Sequence, residues 1–156
     1  MFKSTSILKA VIFVLGFFAF VPALYAEGRF TVSADGQEVK DNQTLLIWKR
    51  CPEGMTWSVN LCQGTAIFWV HNDALYYGSS GAWRLPNIKE LASIVDRDHI
   101  DPAINSLVFP NTQPLGFWSS TPVDIDLAWQ VDFHDGSIGQ MTRNQGLMVR
   151  LVRGGK

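Results

Sequence analysis

Cysteine is nearly absent, histidine is scarce and neither sign of charge dominates. The 156 residues hold two cysteines, three histidines and a formal net charge of −1. Cys51 and Cys62 flank "PEGMTWSVNL", a spacing too long for a Cys-x-x-Cys redox motif. No histidine lies near enough in sequence to complete a zinc set with them. Ser119 and Ser120 sit outside any Gly-x-Ser-x-Gly elbow, and no glycine-rich phosphate cradle occurs. Asp124, Asp126, Asp132 and Asp135 cluster without the calcium-loop spacing of an EF-hand. Asp98, His99 and Asp101 follow a predicted helix and precede Pro102, a context for capping and turns rather than acid–base chemistry. The balance of charge is slightly acidic, which argues against nucleic acid as a partner, since that usually needs a basic face. There is no internal repeat and no low-complexity tract.

Long apolar runs are limited to one, "AVIFVLGFFAFV", Ala10 to Val21. Lys3 and Lys9 precede it and small residues ending in Ala26 follow it. This is the pattern of a secretory signal peptide over residues 1–26. The run falls short of the ~20 residues of a transmembrane helix, and an uncleaved anchor is the alternative. Loss of Lys3 and Lys9 takes the formal net charge from −1 to −3. Residues 27–156 suit one domain around one core. Export places it in the periplasm or outside the cell, with no stable membrane insertion after cleavage. An oxidising compartment and an even cysteine count predict a Cys51–Cys62 disulfide. Closing that loop is worth about 2–3 kcal/mol in the chain-entropy picture.

What the exported part has in abundance is tryptophan: Trp48, Trp57, Trp69, Trp83, Trp118 and Trp129. Each is weighed as core filler against ligand platform. A short strand is expected over Arg29 to Ser33, with a turn at Asp35-Gly36. A second, more buried strand spans Thr44 to Arg50. Phe68 to Tyr77 is expected to be a helix ending at Gly78. One helical turn is expected near Ala103 to Ser106, in a long loop. Gly116 to Pro122 is extended. "LAWQVDFHDGSIGQM" alternates, placing Ala128, Gln130 and Asp132 opposite Trp129, Val131 and Phe133 around a hairpin at 134–137. Gly146 to Arg153 is the last strand. The pattern predicts an α+β fold of small antiparallel sheets, two short helices and long loops.

"WRLPNIKEL" is the most legible stretch. Pro86 keeps Leu85 extended. Asn87 is an N-cap and Glu90, three residues on, its return partner. Ile88, Leu91, Ile94 and Val95 form one apolar stripe over an expected helix from Ile88 to Val95. Trp83 and Leu85 are expected in the core. Arg143, Arg150, Arg153 and Lys156 make the tail locally basic, either as a contact for an acidic polymer or as a strand end paired with aspartates.

"WRLPNIKEL", followed in order by "FP", "FWSST", "AWQVDFHDG" and "VRLVR", resembles the Lcl-type C-terminal domain, a bacterial family first named from a collagen-like adhesin. The resemblance runs from about Thr44 to Arg153 and includes the cysteine-bracketed "RCPEGMTWSVNLCQG". It implies a C-type-lectin-like fold, distantly similar to formylglycine-generating enzymes, with terminal strands side by side and long loops forming one surface. Gln113-Pro114-Leu115 lacks the carboxylate of the calcium-binding lectin triplet, so calcium-mediated sugar binding does not carry over. The expectation is an exported non-catalytic binding module for a glycan, an envelope polymer or a protein. Trp118, Ser119, Asp124, Asp126, Trp129 and Asn144 are its candidate ligand residues, and no metal, cofactor or catalytic residue is expected. The alternatives are a small hydrolytic or metal-assisted enzyme built on the Asp and His loops, or a structural partner in an envelope assembly.

Overall fold

A computed structural model describes residues 28–79 and 81–154. The expected signal peptide, and Lys156 of the basic tail, lie outside the described residues. Strands β1 (Phe30–Val32), β2 (Glu38–Asp41), β3 (Ile47–Lys49) and β9 (Val152–Arg153) form one antiparallel sheet in that order. β4 (Met55–Ser58) and β5 (Leu61–Gly64) form a separate hairpin. β6 (Gly116–Pro122), β7 (Leu127–Asp132) and β8 (Ser137–Thr142) form a three-stranded antiparallel sheet. Helices α1 (His71–Gly78) and α2 (Ile88–Ser93) complete an α+β fold. β9 brings the end of the domain back to its beginning, with Val152 opposite Trp48.

The Asp35-Gly36 turn closes β1 onto β2. Asp35 Oδ1 accepts from Ser33 Oγ at 2.6 Å and from Gln37 N at 3.1 Å. Gly36 has φ +73°, and a Cβ there would stand 2.2 Å from Trp57 Nε1, so position and packing both demand glycine. The bridge between Cys51 and Cys62 is formed, with Cα atoms 5.6 Å apart. Its loop holds β4 and the turn into β5, with Cys62 itself in β5, where the sequence shows only a segment able to loop back.

Within the β6–β7–β8 sheet, β6 and β7 form an internal partition, while β8 is an exposed edge. Phe117, Val131 and Phe133 enter one apolar cluster with Val39, Trp48 and Leu91. Trp118 and Ala128 enter a second with Leu85, Val149 and Leu151. The expected alternation along β7 holds, but both faces are packed rather than one solvated. The 146–153 run is not the continuous strand expected. Leu147 pairs with Trp69, Met148 with Phe117 and Val152 with Trp48 in turn, so the run is shared between partners. Within it Arg150 turns inward and is fully buried. It donates to Lys49 O and Thr112 Oγ1 at 2.9 and 2.7 Å, and also to Arg50 O. Burial brings its pKa down to about 9, opposed by Glu53. Arg153 pairs with Glu38. The tail is therefore no basic patch at Arg150 and Arg153.

The "WRLPNIKEL" reading survives in its essentials. Asn87 Oδ1 accepts from Glu90 N at 2.9 Å, and Glu90 Oε2 accepts from Asn87 N at 2.8 Å. α2 ends at Ser93, because Ile94 and Val95 belong to the exit turn. Leu85 is buried, but Trp83 is only half-buried, with Lys49 Nζ and the Arg153 guanidinium 5.7 and 5.1 Å from its ring centroid. The helical turn expected at 103–106 lies slightly later in the chain, where Val108 N and Phe109 N donate to Asn105 O at 3.1 and 2.8 Å. Asn105 Oδ1 also accepts from Leu107 N and Val108 N at 3.1 and 3.2 Å, so its side chain caps the start of that turn.

Candidate functional site

The segment Trp69 to His71 is pinned before α1 begins. Trp69 N–H donates to Leu147 O at 2.8 Å and Leu147 N–H returns to Trp69 O at 3.0 Å. Those bonds hold Trp69 extended, so the helix starts three residues later than the expected Phe68. Trp118 Nε1 also donates to Trp69 O, at 2.7 Å. His71 N–H donates to Arg143 O at 2.9 Å. Beneath this backbone the His71 imidazole is fully buried. Its Nε2–H donates to Ser119 O at 2.9 Å, and its ring stands edge-on to Trp118 at 5.0 Å. Nδ1 is then the bare nitrogen, buried with no hydrogen-bond partner among the described residues. Burial holds the His71 pKa below its ordinary value; the bond to Ser119 opposes this and Arg143 reinforces it.

Two open clefts flank this segment. The first, of about 520 Å³, is lined by Trp69, Asp73, Tyr76, Tyr77 and Ser79. Trp69 and Tyr77 stack at 4.7 Å with 24° between planes. Tyr77 OH donates to the buried Glu53 Oε2 at 2.8 Å, which fixes the ring and raises the phenol's pKa. Tyr76 is 83% exposed. Successive helical residues point ~100° apart, and here Tyr77 turns toward the second apolar cluster while Tyr76 does not. Tyr76 is the one left on the surface. Gly78 lets α1 lie against the next segment: a Cβ there would stand 2.8 Å from Leu85 N.

The second cleft, of about 550 Å³, is lined by Val70, Asn72, Ile125, Asp126, Thr142, Arg143 and Asn144. Asp124 Oδ1 accepts from Asp126 N and Leu127 N, both at 2.8 Å, and so shapes the turn that presents Ile125 and Asp126. Arg143 is placed by its N–H on Asp126 O at 2.8 Å and its Nε on Leu127 O at 3.2 Å.

The expected ligand residues divide between surface and interior. Asp126 and Asn144 line the second cleft, and Asp124 shapes its rim. Trp118 and Ser119 are fully buried. Trp118 supports Trp69 from below, and Ser119 Oγ donates to Trp129 O at 2.7 Å, so neither offers a surface to a ligand as expected. Trp129 is half-buried on β7, opposite Gln140. Trp69, Asp73, Tyr76 and Tyr77 carry no such expectation in the sequence, and the signal for them was the adjacent tyrosine pair. His99 pairs with Asp96 at 3.0 Å and His134 with Asp101 at 3.5 Å, both at the surface. Among the described residues no three His, Cys, Asp or Glu side chains gather to hold a metal ion.

A family model described as the Lcl C-terminal domain matches residues 37–153. The chain belongs to the Lcl C-terminal domain family. The matched span begins in the first hairpin turn and ends in β9, so this Lcl C-terminal domain includes both clefts, the disulfide and the α2 cap. No curated protein matches the chain.

Proposed function

We propose that this Lcl C-terminal domain is an exported, non-catalytic binding module that takes a glycan or similar polar polymer on the face around α1. The observation that carries the reading is the stacked Trp69–Tyr77 pair beside the exposed Tyr76 and the Asp73 carboxylate. Rigid aromatic faces next to hydrogen-bonding groups suit ligands with apolar patches and hydroxyls, at low entropic cost. The Cys51–Cys62 bridge favours an oxidising compartment, periplasmic or extracellular. The C-type-lectin-like kinship belongs to the same proposal and is supported by the shared sheet of first and last strands.

Titration of the exported protein with glycans and envelope polymers, first in chelator and then in calcium, tests the reading. Binding is expected in both. Binding that needs calcium would restore a metal-dependent lectin. Turnover of a substrate by the pure protein would replace the module with an enzyme.

A further inference from the structure

We propose that the two clefts are adjacent subsites of one groove for a neutral or amino-bearing oligosaccharide. The inference rests on the binding-module reading and adds the ligand class and the binding register. Trp69 and Asp73 line the first cleft, while Val70 and Asn72 line the second. Neighbours in the chain thus open into different clefts. Asn72 and Asp73 stand ~100° apart around the same helical turn, so the 69–73 segment runs along the boundary of both subsites. The ridge is fixed from below by Trp118 Nε1 on Trp69 O and from the side by Leu147 and Arg143. A ligand crossing it meets a preformed surface and orders little on binding.

The lining sets the chemistry. In the first cleft the faces of Tyr76 and of the Trp69–Tyr77 stack are electron-rich and suit the polarised C–H face of a pyranose. Asp73 is the charged residue of that lining and takes part in none of the ion pairs among the described residues. It accepts hydrogen bonds from hydroxyls, or charge-assisted ones from an amine. No lysine or arginine lines this cleft, so a sulfate or uronate would meet a carboxylate without a counter-cation. The second cleft balances Asp126 against Arg143 and adds the amides of Asn72 and Asn144. Those groups match hydroxyl and acetamido substituents rather than a net charge.

The test is calorimetric titration of the exported protein with β-linked glucose, N-acetylglucosamine and glucosamine oligomers, from monosaccharide to hexasaccharide, beside heparin fragments of matched length. Affinity is expected to rise with length by about tenfold and then to level off, as the second subsite fills at high effective concentration. Tyr76→Ala should weaken every length by about tenfold, the size of a hot-spot aromatic. Asn144→Ala should weaken only the longer oligomers. Length-independent affinity with Asn144→Ala silent would overturn the shared groove. Tighter binding of heparin fragments, insensitive to Tyr76→Ala, would overturn the ligand class. If no oligosaccharide binds but a protein or another polymer does, the sugar inference falls and the module reading stands. If nothing exported with the protein binds at this face, the module reading falls as well.

Discussion

Asn87 and Thr121 accept first-turn N–H groups of α2, with Glu90 and Arg84 bracing the cap, whereas α1 is capped by Val70 with no side-chain hydrogen bond. Around α2, Glu90 takes the Asn87 N–H and a two-pronged grip from Arg84 at 2.7 Å each, while Thr121 Oγ1 accepts from Ile88 N at 2.9 Å. Arg84 in turn exchanges backbone bonds with Val152 at 2.8 and 2.9 Å. The polar groups there are occupied with one another. Around α1 the side chains are pinned from beneath, and their outward faces are left for solvent. The local grammar of a capping box therefore marks an anchor between α2, β6 and β9. The weakly capped helix with surplus aromatics marks the face on which the proposed binding rests.

The largest expected effect tests whether the α1 face is built on the core. Trp118 fills the second apolar cluster and holds Trp69 O. Trp118→Ala should cost about 3–5 kcal/mol, as for a buried aromatic. Urea unfolding would measure it. A loss under about 0.5 kcal/mol, the range of ordinary surface changes, would detach the face from the core.

Next in size is the disulfide. Its loop contains Glu53, which joins Lys49 at 2.9 Å and receives Tyr77 OH. Cys51→Ala with Cys62→Ala should cost about 2–3 kcal/mol. Hydrogen exchange should quicken at α1 while α2 keeps its protection. Equal loosening of both helices would blur the distinction between them.

Acid should separate the two helices in pH. The His71 pKa is depressed in the folded state, so its neutral form is the one folding favours. The stability it contributes is complete above the unfolded value of about 6.5 and declines as pH falls from there toward the folded value. Burial alone would raise the Glu90 pKa, but the bonds from Arg84 and Asn87 leave it below its ordinary value. Its contribution persists to lower pH and is lost only as pH falls through the carboxylate range. Unfolding midpoints measured from pH 8 to pH 3 should therefore show a first decline below about 6.5 that His71→Gln flattens, leaving a second, acidic decline. A wild-type curve flat from pH 7 to pH 5 would contradict the buried, singly bonded imidazole.

Smaller again is the cap itself. Asn87→Ala should cost about 1 kcal/mol by differential scanning calorimetry. Glu90→Gln should cost less than Glu90→Ala if the return bond to Asn87 N matters apart from the Arg84 pair.

The α2 anchor was legible because capping is local: Asn87, Glu90 and Pro86 act within one turn of sequence. The Asp35-Gly36 turn was legible for the same reason. The disulfide followed from export and an even count. What the sequence hid was non-local. Alternation along β7 cannot say that both faces are covered. The apolar run at 146–153 cannot say that it is divided among Trp69, Phe117 and Trp48, nor that Arg150 turns inward to carbonyls far away in the chain. Trp118 and Ser119 looked like a platform because a tryptophan beside hydroxyls has the same composition whether it faces water or the core. Tyr76 and Tyr77 sat in view within "NDALYYG", but which of them faces outward depends on how α1 is turned toward the second apolar cluster.

The smallest expected effect is the one that most sharpens the contrast between the helices. Tyr76 is on the surface of α1, and its removal empties no cavity in either apolar cluster. Alanine is the better helix former, by a few tenths of a kcal/mol. Tyr76→Ala should thus leave stability within about 0.5 kcal/mol of wild type, or raise it slightly. A residue retained for packing would show a loss of the size expected for Trp118. A residue retained for a ligand shows none, and its cost appears only in binding. Melting temperature and oligosaccharide affinity measured on the same preparation would place Tyr76 in one group or the other. A drop of more than 1 kcal/mol in stability, the mean cost of a point mutation, would make Tyr76 part of the scaffold. It would also move the first subsite onto Trp69 and Tyr77 alone.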